Sequence, residues 1–471
     1  METTHGPVLL SETPVLGIDD YRSQLGFDGL RNARDAGPQS TIELIKQAGL
    51  RGRGGAGYPT GLKWQSLAEN ISSSDHGFVV VNAAEGEPGT FKDRALISAN
   101  PFLVLEGAII AAVTLGTGRV VIATKASFTH QVEVLRGAIA QLEATHLAVD
   151  VGIEIVLGPD HYLFGEETAM LEVIEGEDPL PRHLPPYLYG LFTTSPQLGW
   201  SAGADVSPDS RTGRSNPALV NNAETFAHVS LICRYGADWY QTMGTAESPG
   251  PTIATLTGDL ASEVVAEIEL GMPLRSALNN LGGGPLPGRS VKAVLSGVSN
   301  PVLTPEHLDT PISYEHLQAV GAGLGSAGFM VFDDTRNMVD VAYAVVRFLH
   351  VESCGQCNPC KTGTGDLAVA LEQLVYGTAD ATQSQATIAR RLQTVTDASR
   401  CYLPTQARNL IASLLQRFPE DLAERLAGVP GDANIALGPL SNVSGGRAQL
   451  APTVGLKRPD WTMSESAVRF S

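Results

Sequence analysis

"GFVVVNAAEGEPGTFKDR", residues 77–94, decides the fold. Phe78 to Val81 form a short apolar run dominated by β-branched valine, the pattern of a buried strand. The run then breaks into polar groups. It delivers Asn82, Glu85 and Glu87 to the strand's C-terminal end, where α/β folds place their ligands. Working outward, "VVIATKAS" (120–127) and "VGIEIVLG" (151–158) read as further strands that alternate with helices. Between the first two lies "PFLVLEGAIIAAVTLG" (101–116), broken by Glu106. A bilayer span needs about 20 apolar residues, so this stretch reads as a buried helix. The alternation predicts an α/β domain.

Polar residues gather at the ends of these elements. "YLFGEETAMLEVIEG" (162–176) places Gly165, Glu166 and Glu167 at a helix start, where glutamates also serve as ordinary capping groups. "NPALVNNAETF" (216–226) offers Asn221, Asn222, Glu224 and Thr225, whose carboxamides and hydroxyls suit a ribityl chain or sugar. "GLRGRGGAGYPTGLKW" (49–64) carries six glycines. Without Cβ atoms, its main-chain N–H groups can approach an anion, and Lys63 adds a cation near a helix start. It is neither a Walker loop nor a G-x-G-x-x-G turn; the bland alternative is a tight turn only.

Five cysteines in 471 residues are too few for a disulfide framework. Cys233, on an apolar helix face in "SLICRYG", reads as a packed core thiol. The other four differ. "ESCGQCNPC" (352–360) sets Cys354, Cys357 and Cys360 in a C-x2-C-x2-C run. Zinc fingers usually show two separated pairs. The run instead resembles that of 4Fe–4S ferredoxins, with a further cysteine at the last corner. Cys401, in "ASRCYLPTQ", is the nearby candidate; a zinc knot is the alternative. The run follows "MVDVAYAVVRFLH" (338–350), where Val341, Ala344, Val345 and Phe348 recur at helical spacing. That puts the centre at a helix end within a bundle.

The formal charge of −18 argues against nucleic acid, whose phosphates need clustered Lys and Arg. The opening "METTHGPVLLSETP" lacks a basic start and an apolar core, so no signal peptide is expected. A cytoplasmic protein without direct membrane insertion is predicted, peripheral to a membrane only through a partner.

Glycine loop, "NAAEGEPGTFKDR", "FGEETAMLEVIEG", "VNNAET" and "ESCGQCNPCKTGTG" occur in that order. The set closely resembles the NADH-binding flavoprotein subunit of respiratory complex I, a family shared with NAD-linked hydrogenases and formate dehydrogenases. The resemblance covers residues 20 to 425 or so. It implies FMN on a Rossmann-like domain, a β-grasp (SLBB) domain, and a helical bundle holding a 4Fe–4S cluster. The implied layout is an N-terminal helical segment (1–48), an FMN/NADH domain (49–245), the SLBB domain (246–334), the bundle (335–430) and an extended tail (431–471). "PTIATLTGDL" and "VVAEIELGMPLRSALNNLGGG" fit the SLBB domain, as two strand-like runs and a helix-like run.

By the same resemblance, Gly52, Gly54, Gly55, Gly57 and Lys63 would cradle the FMN phosphate and ribityl. Asn82, Glu85, Tyr162, Gly165, Glu166, Asn221, Asn222 and Thr225 would line the flavin. Tyr58, Glu87 and Glu167 would face NADH, Glu167 near the adenosine ribose. Cys354, Cys357, Cys360 and Cys401 would hold the cluster. The implied activity is oxidation of NADH through FMN, with single electrons passed by the cluster to other redox subunits or a ferredoxin-type protein, membrane-bound or not.

Three departures from the family pattern point to a divergent paralogue. N-A-D-E has become Asn82-Ala83-Ala84-Glu85, the usual lysine before the double proline is Leu184, and 187–215 is expanded. They motivate an alternative, an electron-transfer subunit that has lost NADH and even FMN binding. A structural or binding module is the third reading, against which the cysteines speak. The tail reads as loop-like, disordered or draped on a partner, with Trp461 as an anchor.

Overall fold

Four parallel strands make the first sheet: β1 (Phe78–Ala83), β2 (Arg119–Lys125), β3 (Gly152–Gly158) and β4 (Ala218–Asn222). The computed structural model of the chain describes residues 6–11, 13–71, 77–145, 147–192, 216–378, 380–398 and 400–463. The chain divides into two units. The first comprises Met1–Glu85, Lys92–Ile253 and Glu267–Gly271; the second comprises Gly86–Phe91, Ala254–Ala266 and Met272–Ser471.

In the first unit the strand order is β3-β2-β1-β4. The chain runs outward from β1 through β2 to β3, then returns to the other side of β1. The boundary between β1 and β4 is therefore a topological switch point, where such sheets open a crevice at their carboxyl ends. Register pairs Val81 with Asn221 and Asn82 with Asn222. Three asparagines thus stand at the carboxyl ends of these two strands, beside that crevice.

The apolar stretch after β1 is a helix, Pro101–Leu115, buried along almost its whole length. It tolerates Glu106 because the carboxylate is fully engaged. Leu30 N donates to Glu106 Oε1 at 2.8 Å, and the Tyr21 hydroxyl donates to Oε2. Burial pushes this carboxyl up to about 7. Gly107 lets the helix meet the helix Ala223–Tyr235 closely: a Cβ there would lie 1.9 Å from Phe226 O. Cys233 is buried on that second helix, and burial pushes its thiol up to about 12. Among the described residues, no single helix is long and apolar enough to cross a membrane.

The long crossover into β4 has a closed neck. Leu191 N donates to Asn216 O at 3.0 Å, and Asn216 Nδ2 donates to Phe192 O at 2.9 Å. Ala218 N donates to Pro186 O, also at 2.9 Å. Most of the expansion inferred for 187–215, from residue 193 on, lies outside the described residues.

The second unit carries most of a mixed sheet of β5 (Pro251–Gly258), β6 (Val264–Glu269), β7 (Val291–Ser296) and β8 (Gly328–Asp333), in the order β6-β5-β8-β7. β5 and β8 are parallel, and β7 runs antiparallel to β8. The helix Leu274–Asn280 lies between β6 and β7 in sequence. Five helices follow: Met338–Glu352, Asn358–Val375, Ala381–Thr394, Leu403–Arg417 and Pro419–Leu426. A buried bidentate pair, Arg425 to Asp340 at 2.8 Å on both oxygens, ties the last to the first.

The tail is more structured than its composition suggests. β9 (Leu440–Ser444) and β10 (Arg447–Leu450) form an antiparallel hairpin. Glu263 N donates to Gly446 O at 3.0 Å, and Ala448 N donates to Glu263 Oε2 at 2.8 Å, which fixes the hairpin beside the start of β6.

Candidate functional site

The glycine loop folds over a buried cation. Arg53, 2% exposed, donates from Nη1 to Arg51 O and from Nη2 to Pro249 O, Pro251 O and the Tyr240 hydroxyl, at 2.9–3.2 Å. Its backbone N–H donates to Thr225 Oγ1 at 2.9 Å. Gly55 and Gly57 turn the loop with φ of 118° and 62°, values that only glycine adopts without strain. Gly54 passes over the end of β4, where a Cβ would come within 3.3 Å of Asn222 Cβ. Gly52 N donates to Tyr58 O at 2.9 Å, and the Tyr58 ring is exposed.

Lys63 sits in the first turn of the helix Thr60–Asn70. Its Nζ donates to Val220 O on β4 at 2.8 Å and to Glu167 Oε2 at 2.7 Å. Asn82 Nδ2 donates to Gly165 O at 2.8 Å, which joins β1 to the short turn Tyr162–Gly165. Gly165 is close-packed there: a Cβ would meet Ala84 O at 3.2 Å. Glu166 caps the helix Glu167–Ile174, accepting from Thr168 N at 3.0 Å and Ala169 N at 2.8 Å. Burial raises its carboxyl above the ordinary range. The Asn221 carboxamide, oriented to satisfy both neighbours, accepts from Trp64 Nε1 at 3.2 Å.

Behind these lies a charge network centred on Lys92 and Asp93, neither of them among the expected site residues. Lys92, 2% exposed, places Nζ 2.6 Å from Asp93 Oδ1, 2.9 Å from Asn222 Oδ1 and 2.9 Å from Glu224 Oε2. Asn222 Nδ2 donates to Asp93 Oδ2 at 2.7 Å. Burial opposes every charge here. It pushes the Asp93 carboxyl up to about 6 against the pull of Lys92, and His228 down to about 4. Burial opposes the Glu224 charge too, yet Lys92, His228 and Arg53 hold that carboxyl well below the usual range. Glu85 is equally committed: it accepts from Lys92 N at 2.8 Å, Asp93 N at 3.2 Å and Arg94 Nε at 2.9 Å. The signal was present in "TFKDR", charged residues inside an otherwise buried stretch.

The crevice thus brings together the glycine loop, Lys63, Asn82, Gly165, Glu166, Glu167, Asn221, Asn222 and Thr225. Glu85 supports it from behind. Glu87 belongs to the second unit, where its carboxylate accepts from Val298 N at 2.7 Å. Ala84 is buried in an apolar cluster with Phe164 and Leu171, and Leu184 is half-buried. A cradle open to backbone donors, one lysine and a row of carboxamides fits a phosphorylated, polyhydroxylated cofactor such as FMN.

In the second unit, Cys354 follows the helix Met338–Glu352, and Gly355 turns the chain with φ of 82°. Cys357 is the N-cap of the helix Asn358–Val375, and Cys360 lies in its first turn. Both sulfurs therefore stand at the positive end of a helix, which favours thiolate. Burial nevertheless pushes the Cys360 thiol up to about 11, with Cys354 and Cys357 adding to it and Ser353, 3.3 Å away, opposing. A buried thiolate of this kind calls for a compensating metal charge. The loop carrying Cys401 starts at Val395, which is packed on Gly363, one turn beyond Cys360: a Cβ at Gly363 would lie 3.0 Å from Val395 Cα. Among the described residues, no three His, Cys, Asp or Glu side chains converge as a single metal ion would require. A cubane takes one cysteine per iron, so its ligands stand further apart, and the donor set fits it.

A sheet with a phosphate cradle at its switch point, joined in one chain to a cysteine-bearing helical bundle, defines a flavin and iron–sulfur redox protein. Residues 45–231 match the Nuo51 FMN-binding domain, and residues 340–425 match the NADH-ubiquinone oxidoreductase-F iron–sulfur binding region. The second NADH-quinone oxidoreductase F protein of Rhizobium meliloti is 34% identical over 386 residues, 79% of this chain and 86% of its own. The HndC component of the NADP-reducing hydrogenase of Solidesulfovibrio fructosivorans is 32% identical over 414 residues, 86% of this chain and 79% of its own. Among solved structures, NAD+-reducing NiFe-hydrogenase in the H2-reduced state superposes with a TM-score of 0.73 at 32% identity, covering 89% of this chain and 67% of that one. The chain belongs to the NADH-quinone oxidoreductase F family, the flavoprotein component of complex I.

Proposed function

We infer that this chain is the NADH-oxidising flavin and iron–sulfur subunit of a multi-subunit redox complex. The observation that carries the reading is the switch-point crevice, with its glycine loop, Lys63 and carboxamide row, in a chain that also bears the cysteine run. When bound, FMN supplies the two-electron chemistry with NADH and the one-electron exchange with the 4Fe–4S cluster. The chain supplies position and charge.

Gly54, Gly55 and Gly57 present backbone donors to the phosphate, Gly52, whose N–H is given to Tyr58 O, closes the turn of the cradle, and Lys63 adds a charge-assisted contact. Asn82, Asn221 and Asn222, with Tyr162, Gly165 and Glu166, line the crevice. Thr225 and Glu85 hold the loop and the following helix in place. Tyr58 offers an exposed ring for stacking on the nucleotide. Glu167 meets the ribose and Glu87 contributes on the NADH side. Cys354, Cys357, Cys360 and Cys401 hold the cluster. No protein general base is required, because the transferred hydrogen leaves NADH as hydride.

The mixed sheet of the second unit reads as the β-grasp (SLBB) module. Its order β6-β5-β8-β7 and central parallel pair, with the helix Leu274–Asn280 after β6, support that reading. Partners are other redox subunits, as the relatives' names imply for those proteins, or a ferredoxin-type acceptor, including a membrane-bound one. The unit boundaries read from the sequence stand as part of the same proposal.

An acidic residue on the ribose 2′-hydroxyl repels the 2′-phosphate of NADPH. Glu167 thus selects NADH. The test is an anaerobic titration of the oxidised holoprotein with each nucleotide. NADH should bleach the flavin, NADPH more weakly, and Glu167→Gln should strengthen the NADPH response. Protein that dithionite bleaches but neither nucleotide does would overturn the reading.

A further inference from the structure

The end of the helix Met338–Glu352 leaves backbone carbonyls without helical partners. They are claimed by one lysine in the first turns of the helix Asn358–Val375 and by the C-terminal tail. Lys361 Nζ donates to His350 O at 3.2 Å, to Ser353 O at 2.7 Å and to Pro459 O of the tail. Trp461 Nε1 donates to Val351 O at 3.0 Å. Lys457 Nζ lies 2.6 Å from Glu352 Oε2, both side chains being 8% exposed, and 5.2 Å from the centre of the Trp461 ring. Residues 457–463 close into a tight turn: Arg458 N donates to Thr462 O and Trp461 N donates to Arg458 O, each at 2.9 Å. These anchors bracket the cysteine run. Val351, Glu352 and Ser353 immediately precede Cys354, and Lys361 immediately follows Cys360.

We propose that residues 457–461 are a strap that holds the cysteine loop in its ligating form, with Trp461 and Lys361 as its positioning residues. The inference rests on the cysteine run being the cluster site. Groups that orient metal ligands set how tightly the metal is kept. Here the strap fixes the backbone on both sides of three ligands. It also brings two ammonium groups, Lys361 and Lys457, to the end of the chain segment that must carry thiolate charge.

The experiment uses the full-length holoprotein. Wild type, Trp461→Ala, Trp461→Phe, Lys361→Met and Lys361→Arg are compared by the rate of iron release to a ferrous chelator under anaerobic conditions. The electron paramagnetic resonance spectrum of the dithionite-reduced protein is recorded alongside. Trp461→Ala and Lys361→Met should release iron about tenfold faster or more, with an altered spectrum and unchanged FMN content. Trp461→Phe, which keeps the ring and loses the donor, should fall between, and Lys361→Arg should restore most of the wild-type rate. Release at the wild-type rate with an unchanged spectrum in Trp461→Ala and Lys361→Met would overturn the strap and leave the ligand assignment standing. A wild-type chain that holds no iron would overturn both.

Discussion

Lys92 is the residue whose loss the first unit should tolerate least. Lys92→Met keeps much of the side chain's bulk and removes an ammonium that stands between Asp93 and Glu224, at 2.6 and 2.9 Å. All three side chains are almost wholly buried. Removing one partner of a buried pair costs about 3–5 kcal/mol, because the remaining charge is left uncompensated. At about 2–4 °C per kcal/mol, the melting midpoint of the first unit should fall by roughly 6–20 °C. The effect should depend on pH. Burial already pushes the Asp93 carboxyl up to about 6 while Lys92 pulls it down; without Lys92 it must sit higher. A carboxyl raised in the folded state loses stability as pH rises from its unfolded value through its folded one. The deficit of Lys92→Met should thus be largest near pH 8 and smaller at about pH 5. Calorimetry of the FMN-loaded protein at both pH values measures it. A variant that melts with the wild type near pH 8, or one whose deficit is as large in acid, would refute the reasoning.

Three further outcomes are expected. Cys357→Ser should abolish the iron–sulfur resonance and the bound iron, whereas Cys233→Ser, a buried thiol of the first unit, should leave both intact; iron analysis and spectroscopy decide. Gly107→Ala should lower the melting temperature, because its Cβ would fall 1.9 Å from Phe226 O; overpacking of this kind costs about 1–3 kcal/mol. Lys63→Ala should weaken FMN by about 1.5–3 kcal/mol, roughly 10- to 150-fold in Kd, as read by fluorescence titration of the apoprotein.

Local pattern carried far in this chain. The valine run of β1, the strand at 120 and the buried helix at 101 are continuous apolar runs, and the helix leading to Cys354 repeats its apolar residues at helical spacing; such patterns are visible in sequence. So were the residues of the crevice, because glycines and carboxamides at strand ends are conspicuous. What stayed hidden is set by distance along the chain. That β4 returns beside β1 depends on pairing across a long crossover, and it is this pairing that aligns Asn82 with Asn222. The Lys92 network was hidden for the same reason: Asp93 is adjacent, but Glu224 and Asn222 arrive from another strand end. β7 and β8 show no distinctive period, and the tail's polar residues conceal a hairpin. Trp461, read as an anchor for a tail draped on a partner, donates to Val351 O of its own chain.

The closed neck at Leu191, Phe192 and Asn216 has a consequence for the crevice. Its hydrogen bonds hold the chain on both sides of the crossover before β4 begins, so the strand's point of entry is set at the neck itself. The neck is therefore a place from which a change outside the crevice reaches into it: Asn216→Ala, which removes the donor to Phe192 O, should loosen the start of β4 and with it the alignment of Asn222 beside Asn82.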